Sequence, residues 1–131
     1  MQVTQNETYS AGLVLSNSSG WSVSGNTITL NGSTDPNANC VSSPPSLITC
    51  AFGLQVINAS SSNSISSNIV NSNFVGGIYT GPDTSGNVVS GNTAEGNGLF
   101  DIFDDAPKGS NKWRKNTCMT SGGSLGNHVC H

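Results

Sequence analysis

The chain has 131 residues, carries a net charge of −3 and is only 8% charged, which fits one domain built around one core. Asn (17), Ser (22), Thr (11) and Gly (16) supply 66 of those residues, a composition that excludes long helices because these side chains compete with or weaken the helical backbone. No apolar run is long enough to cross a bilayer as a helix, and four Lys+Arg against seven Asp+Glu exclude nucleic acid as the main partner.

Taken in chain order, residues 1–11 read as the tail end of a preceding coil. The opening MQVTQNETYS shows neither a basic nor an apolar leader segment. The expectation is a removed signal or a piece cut from a longer chain. Residues 12–32, GLVLSNSSGWSVSGNTITLNG, form the first clear repeat unit. The Pro- and Ser-rich segment 33–50 follows, bounded by Cys40 and Cys50, and reads as a loop inserted in that first coil. Three units of 24 residues come next, 53–76, 77–100 and 101–124, and residues 119–131 read as a closing strap.

The repeat rests on columns of like residues. Leu54, Ile78 and Ile102 are spaced by 24, as are Asn68, Asn92 and Asn116, and Asn63, Asn87 and Asn111. Asn26 precedes Asn68 by 42, the surplus being the inserted loop. Leu13, Leu54, Ile78 and Ile102 make one apolar column; Val23, Ile65, Val89 and Trp113 make another; Ile28, Val70, Ala94 and Cys118 make a third. Asn26, Asn68, Asn92 and Asn116 form an Asn ladder, in which stacked amides donate and accept along the column at a bend between strands. Such units predict an all-β solenoid, a parallel β-helix of about 4–5 coils of 24 residues spanning 1–131 as a single domain.

The pattern G-[LI]-x-[VLT]…S-x-N-x-[IV]-S-x-N over residues 12–121 resembles the parallel β-helix repeat of the pectin-lyase-like superfamily. That resemblance, with the rule for parallel crossovers, implies a right-handed helix. It leaves function open, because the superfamily includes lyases, hydrolases, epimerases, tailspikes and adhesins.

Four Cys allow three connectivities. The local pairing Cys40–Cys50 and Cys118–Cys130 is the expected one, and it implies an oxidising compartment, extracellular or periplasmic. His128, Cys130 and His131 are soft metal ligands, but a disulfide is the better use of Cys130, so no metal site is expected.

Two groups are candidates for chemistry. Asp101, Asp104 and Asp105, with Lys108, Lys112, Arg114 and Lys115, could serve acid–base hydrolysis of a glycoside. With bound Ca²⁺ they could serve elimination beside a uronate. Apart from Asp104-Asp105, the superfamily's hydrolase motifs are absent, and the plain alternative is a salt-bridged, solvated terminal turn. Gln55, Tyr79 and Phe103 alternate with the inward residues, so they are expected to face solvent as an aromatic strip that stacks on sugar rings or packs on protein. The leading expectation is a secreted, non-catalytic module that binds a surface glycan or serves a structural or adhesive role without a cofactor. The alternatives are a fibre subunit stacking through its uncapped N-terminal coil, and a fragment of a polysaccharide lyase or glycoside hydrolase.

Overall fold

A computed structural model describes residues 2–4, 11–31, 52–126 and 129–131. The inserted loop 33–50 and the Cys40–Cys50 pair lie outside the described residues. The strands are short and numerous: β1 (Gln2–Thr4), β2 (Leu13–Ser16), β3 (Ser22–Ser24), β4 (Thr27–Thr29), β5 (Phe52–Ile57), β6 (Ser64–Ser66) and β7 (Ile69–Asn71). They continue as β8 (Gly76–Thr80), β9 (Val88–Ser90), β10 (Thr93–Ala94), β11 (Phe100–Asp104), β12 (Lys112–Arg114), β13 (Thr117–Cys118) and β14 (Ser121–Gly123).

These strands pair only in parallel, in three sheets. The first sheet runs β1-β4-β7-β10-β13, the second β14-β11-β8-β5-β2 and the third β12-β9-β6-β3. Successive strands of the chain enter different sheets, and each strand pairs with its equivalent one repeat away, the arrangement of a β-helix solenoid. The register follows the columns read from the sequence. Leu13 pairs with Leu54, Leu54 with Ile78 and Ile78 with Ile102. Val23 pairs with Ile65, Ile65 with Val89 and Val89 with Trp113. Ile28 pairs with Val70, and Ala94 with Cys118.

These inward residues make one continuous core, with Leu54, Ile65, Val70, Ile78, Val89 and Ile102 all fully buried. Trp113 packs against it at the C-terminal end. A bifacial strand stabilises by burying one side chain in two, so a three-residue strand contributes one core residue and needs its stacked equivalents for company.

The bends between strands share one device. The residue before each Asn of the predicted ladder sits in the left-handed region: Gly25 (φ 66°), Ser67 (55°), Gly91 (63°) and Lys115 (53°). The left-handed residue turns the chain, and the Asn that follows points inward to satisfy the backbone at the corner. Leu30, Ser72 and Gly96 repeat the device before Asn31, Asn73 and Asn97, and Ser62 and Gly86 repeat it before Asn63 and Asn87.

Candidate functional site

Asn26, Asn68, Asn92 and Asn116 stack as expected, each Nδ2 donating to the next Oδ1 at 2.9–3.1 Å. Two further ladders run beside it. Asn63, Asn87 and Asn111 are joined at 2.9 Å at both steps. Asn31, Asn73 and Asn97 are joined at 3.1 and 3.0 Å. The 24-residue spacing of the former was visible in the sequence without its bonding. The latter was missed, although Asn31 precedes Asn73 by 42 residues and Asn73 precedes Asn97 by 24.

The carboxylates of the last repeat close these ladders. Asp101 Oδ1 accepts from the backbone N–H and the Nδ2 of Asn97, both at 3.0 Å. Its Oδ2 accepts from the backbone N–H groups of Met119 and Thr120 at 3.0 Å, and from the Thr120 hydroxyl at 3.1 Å. Burial pushes this carboxyl up, but the bonds from Asn97, Met119 and Thr120 outweigh burial and hold it below its ordinary value. Asp104 Oδ1 accepts from the Thr80 hydroxyl (2.7 Å), the Ala106 N–H (3.1 Å) and Asn111 Nδ2 (3.2 Å), while Oδ2 accepts from Trp113 Nε1 (3.0 Å). Asp101 and Asp104 are 2% and 1% exposed, so the solvated turn expected from the sequence does not include them. A pair of Asp residues thus stands where each ladder would otherwise present an unmatched amide.

The remaining ladder ends under the closing strap. Cys118 and Cys130 form the expected disulfide, and the backbone of His131 bonds to Asn116 O at 3.0 Å. His131 is exposed, and His128 lies outside the described residues. Among the described residues, no three His, Cys, Asp or Glu side chains gather as a metal site.

The aromatic column needs correction. Gln55 and Tyr79 do not face solvent: they are 6% and 0% exposed. Strand alternation gave the side of the sheet rightly, but a second apolar cluster of Phe52, Val75 and Tyr79, flanked by Ile57 and Phe103, fills that side. The Tyr79 ring lies 5.0 Å from Phe52 and 6.1 Å from Phe103, the latter pair stacked. The Tyr79 hydroxyl donates to Asp105 Oδ2 at 3.1 Å, and burial, then the Asp105 charge, raise its pKa well above the ordinary 10. Phe103 stays partly exposed beside Phe100.

The third sheet presents the opposite case. Its strands β3, β6 and β9 bury their central residues, and β12 half-buries Trp113, so the flanking side chains point outward. Ser22, Ser64, Val88 and Lys112 form one outward row; Ser24, Ser66, Ser90 and Arg114 form the other. Trp21, 61% exposed, stands immediately before β3, its backbone N–H donating to Asn63 Oδ1 at 2.9 Å. It occupies the register position of Asn63 and Asn87, which the spacing of 42 could have revealed. At the other end, a shallow groove of about 470 Å³ is lined by Ser66, Ser67, Ser90, Gly91, Arg114 and Lys115. Lys108 is exposed in the turn between β11 and β12.

No family model, curated protein or solved structure matches this chain.

Proposed function

We propose that this chain is a non-catalytic, right-handed β-helix module of the pectin-lyase-like kind, exported to an oxidising compartment, which binds a surface glycan. The observation that carries the reading is the contrast between two groups of residues. Asp101 and Asp104, two of the three carboxylates offered for catalysis, have their oxygens occupied by ladder and strap donors. The outer face of the third sheet instead offers five exposed or half-exposed serines, Ser22, Ser24, Ser64, Ser66 and Ser90, and the exposed Trp21 immediately precedes its edge strand β3. A sugar ring has apolar C–H faces that gain by covering an indole, and hydroxyls that exchange hydrogen bonds with Ser Oγ. The binding role first given to Gln55, Tyr79 and Phe103 passes to this face, and Gln55 and Tyr79 serve packing. The Cys118–Cys130 bond supports export, since such bonds persist where thiols are not kept reduced.

A glycan array tests the reading. Binding that falls in Trp21→Ala supports it, and silence across the array removes it. Release of unsaturated products or reducing ends from any polysaccharide would restore the lyase or hydrolase reading.

A second reading is self-association through the N-terminal coil. Among the described residues, β2 and β3 are the edge strands of their sheets, and open edges template pairing with another chain. Light scattering that returns a strict monomer at high concentration removes it.

A further inference from the structure

The charge of this chain is divided along its length. All four Lys and Arg fall within residues 108–115, and all seven Asp and Glu lie outside them, in a protein of net charge −3. Lys112 and Arg114 are exposed on β12, Lys115 is exposed at the left-handed bend that follows, and Lys108 is exposed in the turn before. The acids nearest in sequence are engaged elsewhere: Asp101 and Asp104 are buried in the ladder caps, and Asp105 accepts from Tyr79 on the second sheet. Met119 directly follows β13 and is 81% exposed, and Leu99 is 56% exposed. The two share a shallow groove of about 300 Å³ with Phe100, Thr120, Ser121 and Cys130. Among the described residues β12 and β13 are edge strands of the third and first sheets. Lys112, Arg114, Lys115 and Met119 therefore belong to the last coil and stand at one level on its rim.

From this placement we infer that the rim of the last coil docks on an anionic lipid bilayer, with Lys112, Arg114 and Lys115 at the headgroup phosphates and Met119 and Leu99 against the apolar layer beneath. The inference goes beyond the glycan-binding reading and uses the other end of the solenoid from Trp21, which precedes β3. A charged edge strand discourages pairing with another chain, which accounts for Lys112 and Arg114 but not for a bare Met119 beside them. An anionic bilayer answers both. Each cation near its surface gains from the negative surface potential, and an apolar side chain next to the cations gains by leaving water. A soluble polyanion would leave Met119 and Leu99 in water, and a neutral apolar partner would strip water from three cations without a counter-charge. The Lys and Arg stems lie along the surface while their heads reach the phosphates, and Arg114 forks onto two phosphate oxygens. Glu95 stands 24 residues before Met119, one coil further from the rim, so the apolar contact stays small and attachment is peripheral.

The test is sedimentation of the full chain with vesicles of phosphatidylcholine alone, or of phosphatidylcholine and phosphatidylglycerol in equal parts. Wild type should bind the anionic vesicles and leave the neutral ones, and its affinity should fall about ten-fold or more as salt rises from about 0.02 to 0.3 M. Combined Lys112→Gln, Arg114→Gln and Lys115→Gln should weaken binding by about ten-fold or more. Met119→Ser, with every cation kept, should weaken it by about three-fold or more, a loss that a purely electrostatic contact would not show. Trp21→Ala, at the other end, should bind vesicles as wild type does while losing glycan affinity, so the two readings fail separately. Unchanged thermal melting in each variant shows that the fold is kept. Equal binding to both kinds of vesicle, or to neither, overturns the inference, as does a triple variant or a Met119→Ser variant that binds like wild type. Displacement from the vesicles by millimolar glycerol phosphate makes the patch a small-anion site. Tighter binding to carboxymethyl dextran or oligothymidylate than to the vesicles makes its occupant a soluble polyanion. Either result overturns docking on a bilayer.

Discussion

Asn97 donates its side-chain amide to Asp101 at 3.0 Å, so a carboxylate four residues downstream takes the place in the ladder that another Asn would hold. The exchange of amide for carboxylate is what lets the ladder stop. An Asn at the end of a column must still place two N–H donors, whereas a carboxylate only accepts, and Asp101 is surrounded by donors.

Asp101→Asn keeps the shape and turns one accepting oxygen into a donor facing the N–H groups of Met119 and Thr120. The expected loss is about 1–3 kcal/mol, the cost of leaving buried donors unmatched, read from urea unfolding at neutral pH. The pH dependence gives a second readout. The folded carboxyl titrates below 3.8, so its contribution is present above the unfolded value and is lost as pH falls through the folded one. Wild type should lose stability over that acidic range more steeply than Asp101→Asn. Identical acid slopes would remove the carboxylate from the ladder cap.

Asn92 lies between Asn68 and Asn116 in its ladder. It accepts from Asn68 N and Nδ2, and donates to Ile65 O and Asn116 Oδ1. Asn92→Ala strands partners on both sides at once and should cost about 2–4 kcal/mol. Asn92→Asp should cost more, because it leaves Ile65 O without its donor and sets a charge facing an acceptor. If both variants unfold in urea at the wild-type midpoint, the ladder is ornamental.

Columns 24 apart were legible because a solenoid repeats its physics in every turn, so Leu54, Ile78 and Ile102 had to be alike and Asn68, Asn92 and Asn116 had to match. The third ladder was written in the same spacing, yet Asn is so frequent in this chain that Asn31, Asn73 and Asn97 did not stand out. Asp101 was illegible for a different reason. It joins its ladder from four residues away in sequence, and a column search looks only for equivalents one repeat apart. The burial of Tyr79 was hidden because alternation tells which side of a sheet a residue takes, and not what covers that side. Phe52 and Val75, which do so, lie outside the three apolar columns.

Two glycines separate contact from conformation. At Gly77 a Cβ would run into the backbone oxygen of Asp101 and lie 2.8 Å from Asn97 Nδ2, so the ladder passes directly over it. At Gly96 nothing lies within 4 Å, but φ is +65°. Gly96→Ala should cost about 1–2 kcal/mol, the strain of a left-handed non-glycine residue. Gly77→Ala should cost more than about 2 kcal/mol, since backbone must move, and should also weaken the Asp101 bonds. Differential scanning calorimetry ranks the two, and the reverse order would refute the close approach.

The Cys118–Cys130 bond closes the strap over the end of the core, with Leu125 and Val129 packed beneath. Cys118→Ser with Cys130→Ser should lower stability by about 2–3 kcal/mol, given a loop of 12 residues. The loss should be local first. Hydrogen exchange should accelerate at β14 and in residues 129–131, while the amides of β5 and β8 keep their protection. Uniform acceleration over all strands would mean that the strap sets the stability of the whole solenoid rather than of its end.

Tyr79 couples the buried aromatic cluster to the surface through its bond to Asp105. Tyr79→Phe removes that bond and leaves the ring packing, so it should cost about 1 kcal/mol. The sign of the alkaline effect follows from the raised pKa. Above pH 10 an unfolded chain releases the phenolic proton while the folded chain keeps it, so the contribution of Tyr79 is whole below pH 10 and is lost as pH rises beyond it. Wild type should therefore destabilise faster than Tyr79→Phe in alkali, and the gap between them should close. Tyr9 remains in both proteins, so the difference in tyrosinate absorbance isolates Tyr79. Because the ring is fully buried, glycan affinity should not change in Tyr79→Phe, whereas Trp21→Ala should reduce it. A phenol that ionised near 10 in the folded protein would place Tyr79 at the surface and return the sugar-binding role to the second sheet.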